Sequence, residues 1–276
     1  MKRYLYRGSK KNEILFPLGG IGAGNISISG TGRLLDWEIF NRPNKGSFNG
    51  FSSFFVKAEN KEEVIDARVL NSDLPPPYTG KQIPNVEFRE YGYGPDRHLL
   101  TGVPHFKDNT FFGCFPMSEL DFIDPTFPGK VSLEAFSPFI PQDDFNSSLP
   151  AAFFTVNLQN TMKEELDYSV VLALNNPFPA PRVNHAPEGR FKTMVLEGSK
   201  ETSLPNEVGQ LAMSCKGEEM SWQQYWYHGN WFDNIAMFWR DLNTPGHFKN
   251  RIYENQQPKS KTEDVAVLAA HAKILP

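Results

Sequence analysis

Two cysteines in 276 residues, Cys114 and Cys215, are too few and too far apart for a disulfide framework or a cysteine-based metal site. Their scarcity suits a reducing compartment, and a cytoplasmic location is expected. Long apolar runs are lacking as well: no segment approaches the ~18 residues of a membrane span. The basic start Met1-Lys2-Arg3-Tyr4 leads only to the run Ile14 to Leu18, which Pro17 interrupts and which is too short for a secretory leader. Charge of one sign is missing too. Against 28 Lys and Arg stand 32 Asp and Glu, a formal net charge of -4, so no basic face is implied and nucleic acid is not an expected partner.

Catalytic and nucleotide signatures are equally scarce. Gly-x-Ser-x-Gly does not occur, and no phosphate loop ends in Gly-Lys-Ser/Thr. The glycine-rich run Pro17-Leu18-Gly19-Gly20-Ile21-Gly22-Ala23-Gly24 has the wrong spacing for a dinucleotide fingerprint. Counting from Gly20, the third glycine falls at Asn25; counting from Gly22, it falls at Ser27. The next residues, Asn25 to Ser29, alternate polar and apolar like a strand, so the run is expected to be a tight corner and not an anion cradle. The histidines His98, His105, His185, His228, His247 and His271 share no ligand spacing. Neither a metal nor a cofactor is expected; a metal site would need convergence of distant positions.

What the chain does have is 23 Phe, 22 Pro and 21 Gly, the composition of aromatic strands cut by turns. Strand-like runs recur at Phe51–Lys57, Val64–Leu70, Val86–Tyr91, Thr110–Phe115, Glu119–Ile123 and Val131–Phe136. They continue at Ala151–Leu158, Leu166–Leu174, Phe191–Glu197, Val208–Ser214, Ile235–Arg240 and Val265–Ala270. The even positions Leu166, Tyr168, Val170, Leu172 and Leu174 face a core on this reading. A short helix is expected near Ser221 to Tyr227. The fold expected is all-β, a large two-sheet antiparallel β-sandwich with a few short helices, over residues 1–276. The strand at Val265–Ala270 is expected to leave a neighbouring position unfilled, as if the domain were cut at its C-terminal end.

Few residues suggest chemistry. Glu119 and Asp121 lie two apart on one strand, as a carboxylate pair for glycoside hydrolysis could, but alternation with Leu120 and Phe122 makes them a solvated outer face. Asp36 and Glu38 share a strand face opposite Trp37, a pattern that serves sugar stacking or plain packing. Asp143 and Asp144 are expected to shape turns. The densest aromatic run, Trp222 to Trp239, offers Trp226, Trp231, Trp239 and Asp233 as candidates for carbohydrate binding or for docking another domain.

Three segments carry a resemblance. The glycine run with Asp36-Trp37-Glu38-Ile39-Phe40-Asn41 is similar to the start of glycoside hydrolase family 116, the non-lysosomal glucosylceramidase and bile-acid β-glucosidase family. Val131 to Pro141 followed by Asn146-Ser147-Ser148-Leu149-Pro150 resembles its most characteristic N-terminal segment. Trp226 to Asp233 and Phe238-Trp239-Arg240-Asp241 resemble a later one. The resemblance implies an N-terminal β-sandwich that packs on an (α/α)6 barrel, the barrel carrying a Glu nucleophile and an Asp acid/base. No helical-barrel half is present in these residues, so no catalytic residue transfers to a position here. The implied role is non-catalytic support of such a barrel, in cis or in trans. The alternative is a stand-alone carbohydrate-binding module for β-glucosides or oligosaccharides.

Overall fold

The computed structural model describes residues 3–74, 81–85, 90–201, 207–227, 234–250 and 263–276. In chain order the strands are β1 (Tyr4–Tyr6), β2 (Leu15–Leu18), β3 (Asn25–Ser29), β4 (Leu34–Glu38), β5 (Ser53–Glu59) and β6 (Val64–Val69). Next come β7 (Lys81–Asn85), β8 (Glu90–Gly94), β9 (Asp108–Cys114), β10 (Met117–Ile123), β11 (Gly129–Phe136) and β12 (Phe153–Asn160). The last six are β13 (Leu166–Asn175), β14 (Val183–Asn184), β15 (Thr193–Glu197), β16 (Gln210–Ser214), β17 (Glu219–Gln223) and β18 (Val265–Ile274). Among the described residues two short α-helices, α1 (Asp144–Ser147) and α2 (Asn234–Leu242), interrupt the series.

The protein is mostly β, and every ladder between these strands is antiparallel. The strands do not divide into two sheets, which corrects the sandwich expectation. Two five-stranded sheets, β1-β9-β10-β11-β12 and β17-β18-β13-β5-β6, are accompanied by small ones, β2-β3-β4, β14-β15-β16 and β7-β8. The result is a propeller-like arrangement of small sheets more than a defined sandwich. The frequent Pro and Gly turns explain it: they stop strands of two to five residues before these can extend a larger sheet.

The second five-stranded sheet is covered on both faces. Even positions of β13, Leu166, Tyr168, Leu172 and Leu174, pack with Leu120, Phe122, Val131 and Leu133 of the first sheet. Phe54 meets Phe154 with ring centroids 5.0 Å apart, and the Tyr168 hydroxyl donates to the Pro128 carbonyl. The even-position expectation is met at these four; Val170 is only half-buried and belongs to neither core cluster. Odd positions Val171 and Ala173 are buried as well, against Phe51, Phe55, Trp226, Phe238 and Leu242. Arg68 of β6 ties the two large sheets at one corner. It donates to Asp66 Oδ2 (2.8 Å), Thr126 Oγ1 (2.7 Å) and the His105 carbonyl (3.1 Å), and it pairs with Asp124 just beyond β10. Burial alone would raise the Asp124 carboxyl, but hydrogen bonds from Thr126 and Arg68 hold it below the usual range.

Three expectations fail locally. Ile235–Arg240 lies in α2, not in a strand: Ile235, Phe238, Trp239 and Leu242 recur at helical spacing and share the face that packs on the second sheet. The helix expected from Ser221 is the strand β17, because Ser221 and Trp222 pair with Ala269 and Leu268 of β18. Finally, β18 does not lie beside an unfilled position. It pairs with β17 on one side and with β13 along ten residues on the other. The Val86–Tyr91 expectation falls partly outside the described residues.

Candidate functional site

The glycine run joins β2 to β3 as the corner its pattern foretold, with a strand and no helix after it. Gly19 takes φ +141°, and a Cβ there would lie 2.4 Å from the Gly24 carbonyl oxygen. A Cβ on Gly20 would lie 2.3 Å from the Ser148 carbonyl oxygen and 2.6 Å from that of Leu149. Only glycine lets the corner rest directly on the backbone of residues 148–149.

Two serines complete the join. Gly19 N donates to Ser137 Oγ (2.6 Å), whose hydroxyl donates to the Ala151 carbonyl (3.2 Å). Buried Ser147 accepts from Ile140 N (2.9 Å), donates to the Ile140 carbonyl (3.0 Å), and its own carbonyl receives Ile21 N (2.9 Å). Asp143 caps α1, as a turn-shaping role requires: its carboxylate accepts from Asn146 N (2.9 Å) and Asn146 Nδ2 (2.6 Å), bonds that lower its pKa. Residues 17–24 and 137–151, more than a hundred positions apart, thus form one backbone-locked unit.

The outer surface of this unit carries several large apolar side chains beside the polar Gln142, Asp144 and Asn146. Phe145 is 84% exposed, and Ile21, Phe139, Ile140 and Leu149 are all exposed. Phe139 meets exposed Phe115 edge-on, centroids 5.2 Å apart. At the adjoining end of the first sheet, Met117, Phe136 and Phe153 pair in register across β10, β11 and β12, and Phe136 stacks on Phe153 at 5.0 Å. Residues 17–24 and 136–153 include no Lys, Arg or His, and their charges are Asp143 and Asp144 alone. Clustered exposed apolar side chains of this kind make the unit a candidate interaction surface. Nothing in the local sequence marks Ser137 and Ser147 as its fasteners, because their partners are remote in the chain.

The other candidates lie elsewhere. Glu119 and Asp121 sit on the outer face of β10 while Leu120 and Phe122 are buried, and Glu119 pairs with Arg3. Asp36 does not share a solvent face with Glu38: its φ of +52° breaks the alternation. It is buried, accepting from Gly46 N (2.5 Å), whereas Glu38 pairs with Lys45 (2.8 Å). Trp37 is core, its indole N–H donating to the Leu34 carbonyl (3.2 Å). Trp226 is fully buried, its ring stacked between Phe51 (5.5 Å) and Phe238 (4.3 Å), so neither face is open to a sugar. Trp239 is half-buried on the same cluster. Trp231 and Asp233 lie outside the described residues.

These features define a β-rich module that presents apolar side chains on a hydrogen-bonded loop unit and keeps its Trp226 aromatic cluster inside. The family model for the N-terminal part of glycosyl-hydrolase family 116, described as beta-glucosidase 2, matches residues 16–276, and the chain belongs to that family. Among the described residues no helix is long and apolar enough to cross a membrane.

Proposed function

We propose that this chain is the non-catalytic N-terminal β domain of a family 116 β-glucosidase, and that its glycine-corner surface docks a helical catalytic barrel. One observation carries the reading. Segments that bear the family resemblance, 17–24, 137–141 and 146–150, converge in space and turn exposed apolar side chains outward with few charges beside them. The family description speaks of an N-terminal part, so a partner in the remaining part is the natural occupant. The barrel's matching surface is apolar, with at most a cation or two for Asp143 and Asp144. Two free cysteines suit a cytoplasmic setting.

Co-expression with a family barrel tests the proposal. The two are expected to co-purify and to yield β-glucosidase activity, with co-purification lost in Phe145→Asp and persisting at high salt, since apolar contacts are not screened. No association, or association indifferent to Phe145→Asp and Ile21→Asp, counts against it. The carbohydrate-module alternative now rests on Trp231, Trp239 and Asp233, since the Trp226 ring is enclosed. Binding to a β-glucoside array, abolished by Trp231→Ala, would favour that module.

A further inference from the structure

The face of the second sheet that carries Val171 and Ala173 changes character along its length. Beyond Phe55, Val171 and Ala269 lies a row of polar side chains in register across four strands: Lys57 of β5, Ser169 of β13, His271 of β18 and Glu219 of β17. Asp167 stands one step further along β13, opposite Glu59. The loop after α2 lies over this end. Gly246 N donates to Glu59 Oε2 (2.9 Å), Lys57 Nζ to the Gly246 carbonyl (2.7 Å), and Phe248 N to Ser221 Oγ (3.2 Å). That loop delivers His247, whose ring stacks on His271 with centroids 3.7 Å apart and planes 11° from parallel.

We propose that Asp167, His247 and His271 form a binding site for one divalent transition-metal ion of the zinc class. One ligand atom from each lies within 4.8 Å of the others, so side-chain rotations that unstack the two imidazoles bring all three to a common ion. Asp167 Oδ1 is shut off from solvent and has no hydrogen-bond partner, an orphaned acceptor that a cation satisfies. The neighbouring charges are otherwise committed: Lys57 pairs with Glu59 at 3.0 Å, and Glu219 stands 3.8 Å from His247 Nε2, near enough to supply a fourth ligand. Lys273, opposite Asp167 on β18, is the remaining cation beside the carboxylate.

His271 is held by two hydroxyls, Ser169 Oγ at Nδ1 (2.8 Å) and Ser221 Oγ at Nε2 (2.7 Å). A metal displaces one of them, and the other accepts the remaining ring N–H, the orienting bond that metal-bound histidines ordinarily make. Two imidazoles and one or two carboxylates suit zinc better than calcium or magnesium, which prefer oxygen alone. The ion would staple the loop after α2 to β13 and β18. None of this was legible locally, because 80 residues separate Asp167 from His247 and 24 separate His247 from His271.

The test uses the full chain, stripped with chelator and titrated with ZnCl2 by calorimetry, with thermal melts in parallel. One zinc per chain is expected, together with a higher melting temperature. His247→Ala, on the exposed loop, is expected to weaken binding at least about tenfold, and Asp167→Asn likewise. His185→Ala, far away beside Glu197 on β15, is expected to bind as the wild type does. Cobalt bound in place of zinc should give the visible absorption of a four-coordinate site, absent in His247→Ala. No zinc binding by the wild-type chain overturns the proposal, as does binding unchanged in both His247→Ala and Asp167→Asn. Because neither variant removes a buried histidine, a folding failure at His271 does not enter the comparison.

Discussion

Trp226 and Phe145 stand at opposite extremes of one aromatic-rich chain. Trp226 is wholly enclosed between Phe51 and Phe238, whereas Phe145 projects from α1 with most of its ring in water. Around Trp226 the aromatics come from three distant segments and fill the space between α2 and the second sheet. Around Phe145 they come from loops whose backbones are already locked by Ser137, Ser147 and the glycine corner. In the first region the rings hold the backbone in place; in the second the backbone holds the rings in place. Aromatic density therefore says little by itself about function. What distinguishes the regions is whether polar backbone contacts or apolar side-chain contacts fix the local geometry.

The largest expected difference between the two regions comes from truncation. Trp226→Ala should destabilise the chain by about 3–5 kcal/mol, the usual cost of emptying a large aromatic site. Phe145→Ala should lie within about 0.5 kcal/mol of wild type. Urea denaturation of both variants checks this, and similar midpoints would erase the contrast. Next in size is the framework beneath the exposed rings. Ser147→Ala strands the Ile140 amide, while the Ile140 carbonyl keeps its bond from Asp143 N (3.0 Å), and should cost about 1–3 kcal/mol. Gly20→Ala forces residues 148–149 away from the corner and should lower the melting temperature comparably while leaving the Trp226 fluorescence environment unchanged.

A smaller, pH-dependent effect separates the buried polar network from both. The folded protein binds the Asp124 proton more weakly than the unfolded chain does. The contribution of this carboxylate is therefore complete above the ordinary carboxylate pKa of about 4 and drains away as pH falls through the lowered value. Asp124→Asn removes it. The gap between wild-type and variant urea midpoints should be widest near neutrality and narrow below about pH 4; a constant gap would reassign the effect to packing of Arg68. The smallest effect is expected for Glu119→Gln, which loses an outer-face pair with half-exposed Arg3. It should shift stability by less than about 1 kcal/mol, and a large loss would show that β1 depends on that pair.

Much of the strand content could be read from the chain, because alternation and turn residues are local signals. Glu119 to Phe122 and Leu166, Tyr168, Leu172 and Leu174 of β13 behave as their alternation implies. Local pattern misleads where tertiary contacts overrule it. Residues 219–223 form a strand because β18 offers a free edge to pair with, and residues 235–242 form a helix whose apolar face is legible only when the window reaches Leu242. Asp36 leaves the solvent face because a single positive φ reverses its direction. The proposed docking surface was half legible. The glycine corner was marked by composition, but that it rests on Ser148 depends on a contact spanning more than a hundred residues.

The position of β18 carries a consequence for how the molecule is made. Residues 265–274 lie between β13 and β17, so the middle of the second sheet is completed by the segment synthesised after both its neighbours. Until that segment leaves the ribosome, the facing edges of β13 and β17 have no partner, and the pocket around Phe51 and Trp226 lacks Val265, Val267 and Ala269. Folding of this half is thereby tied to the completion of the segment, and a nascent chain halted before residue 265 would expose both edges to other chains.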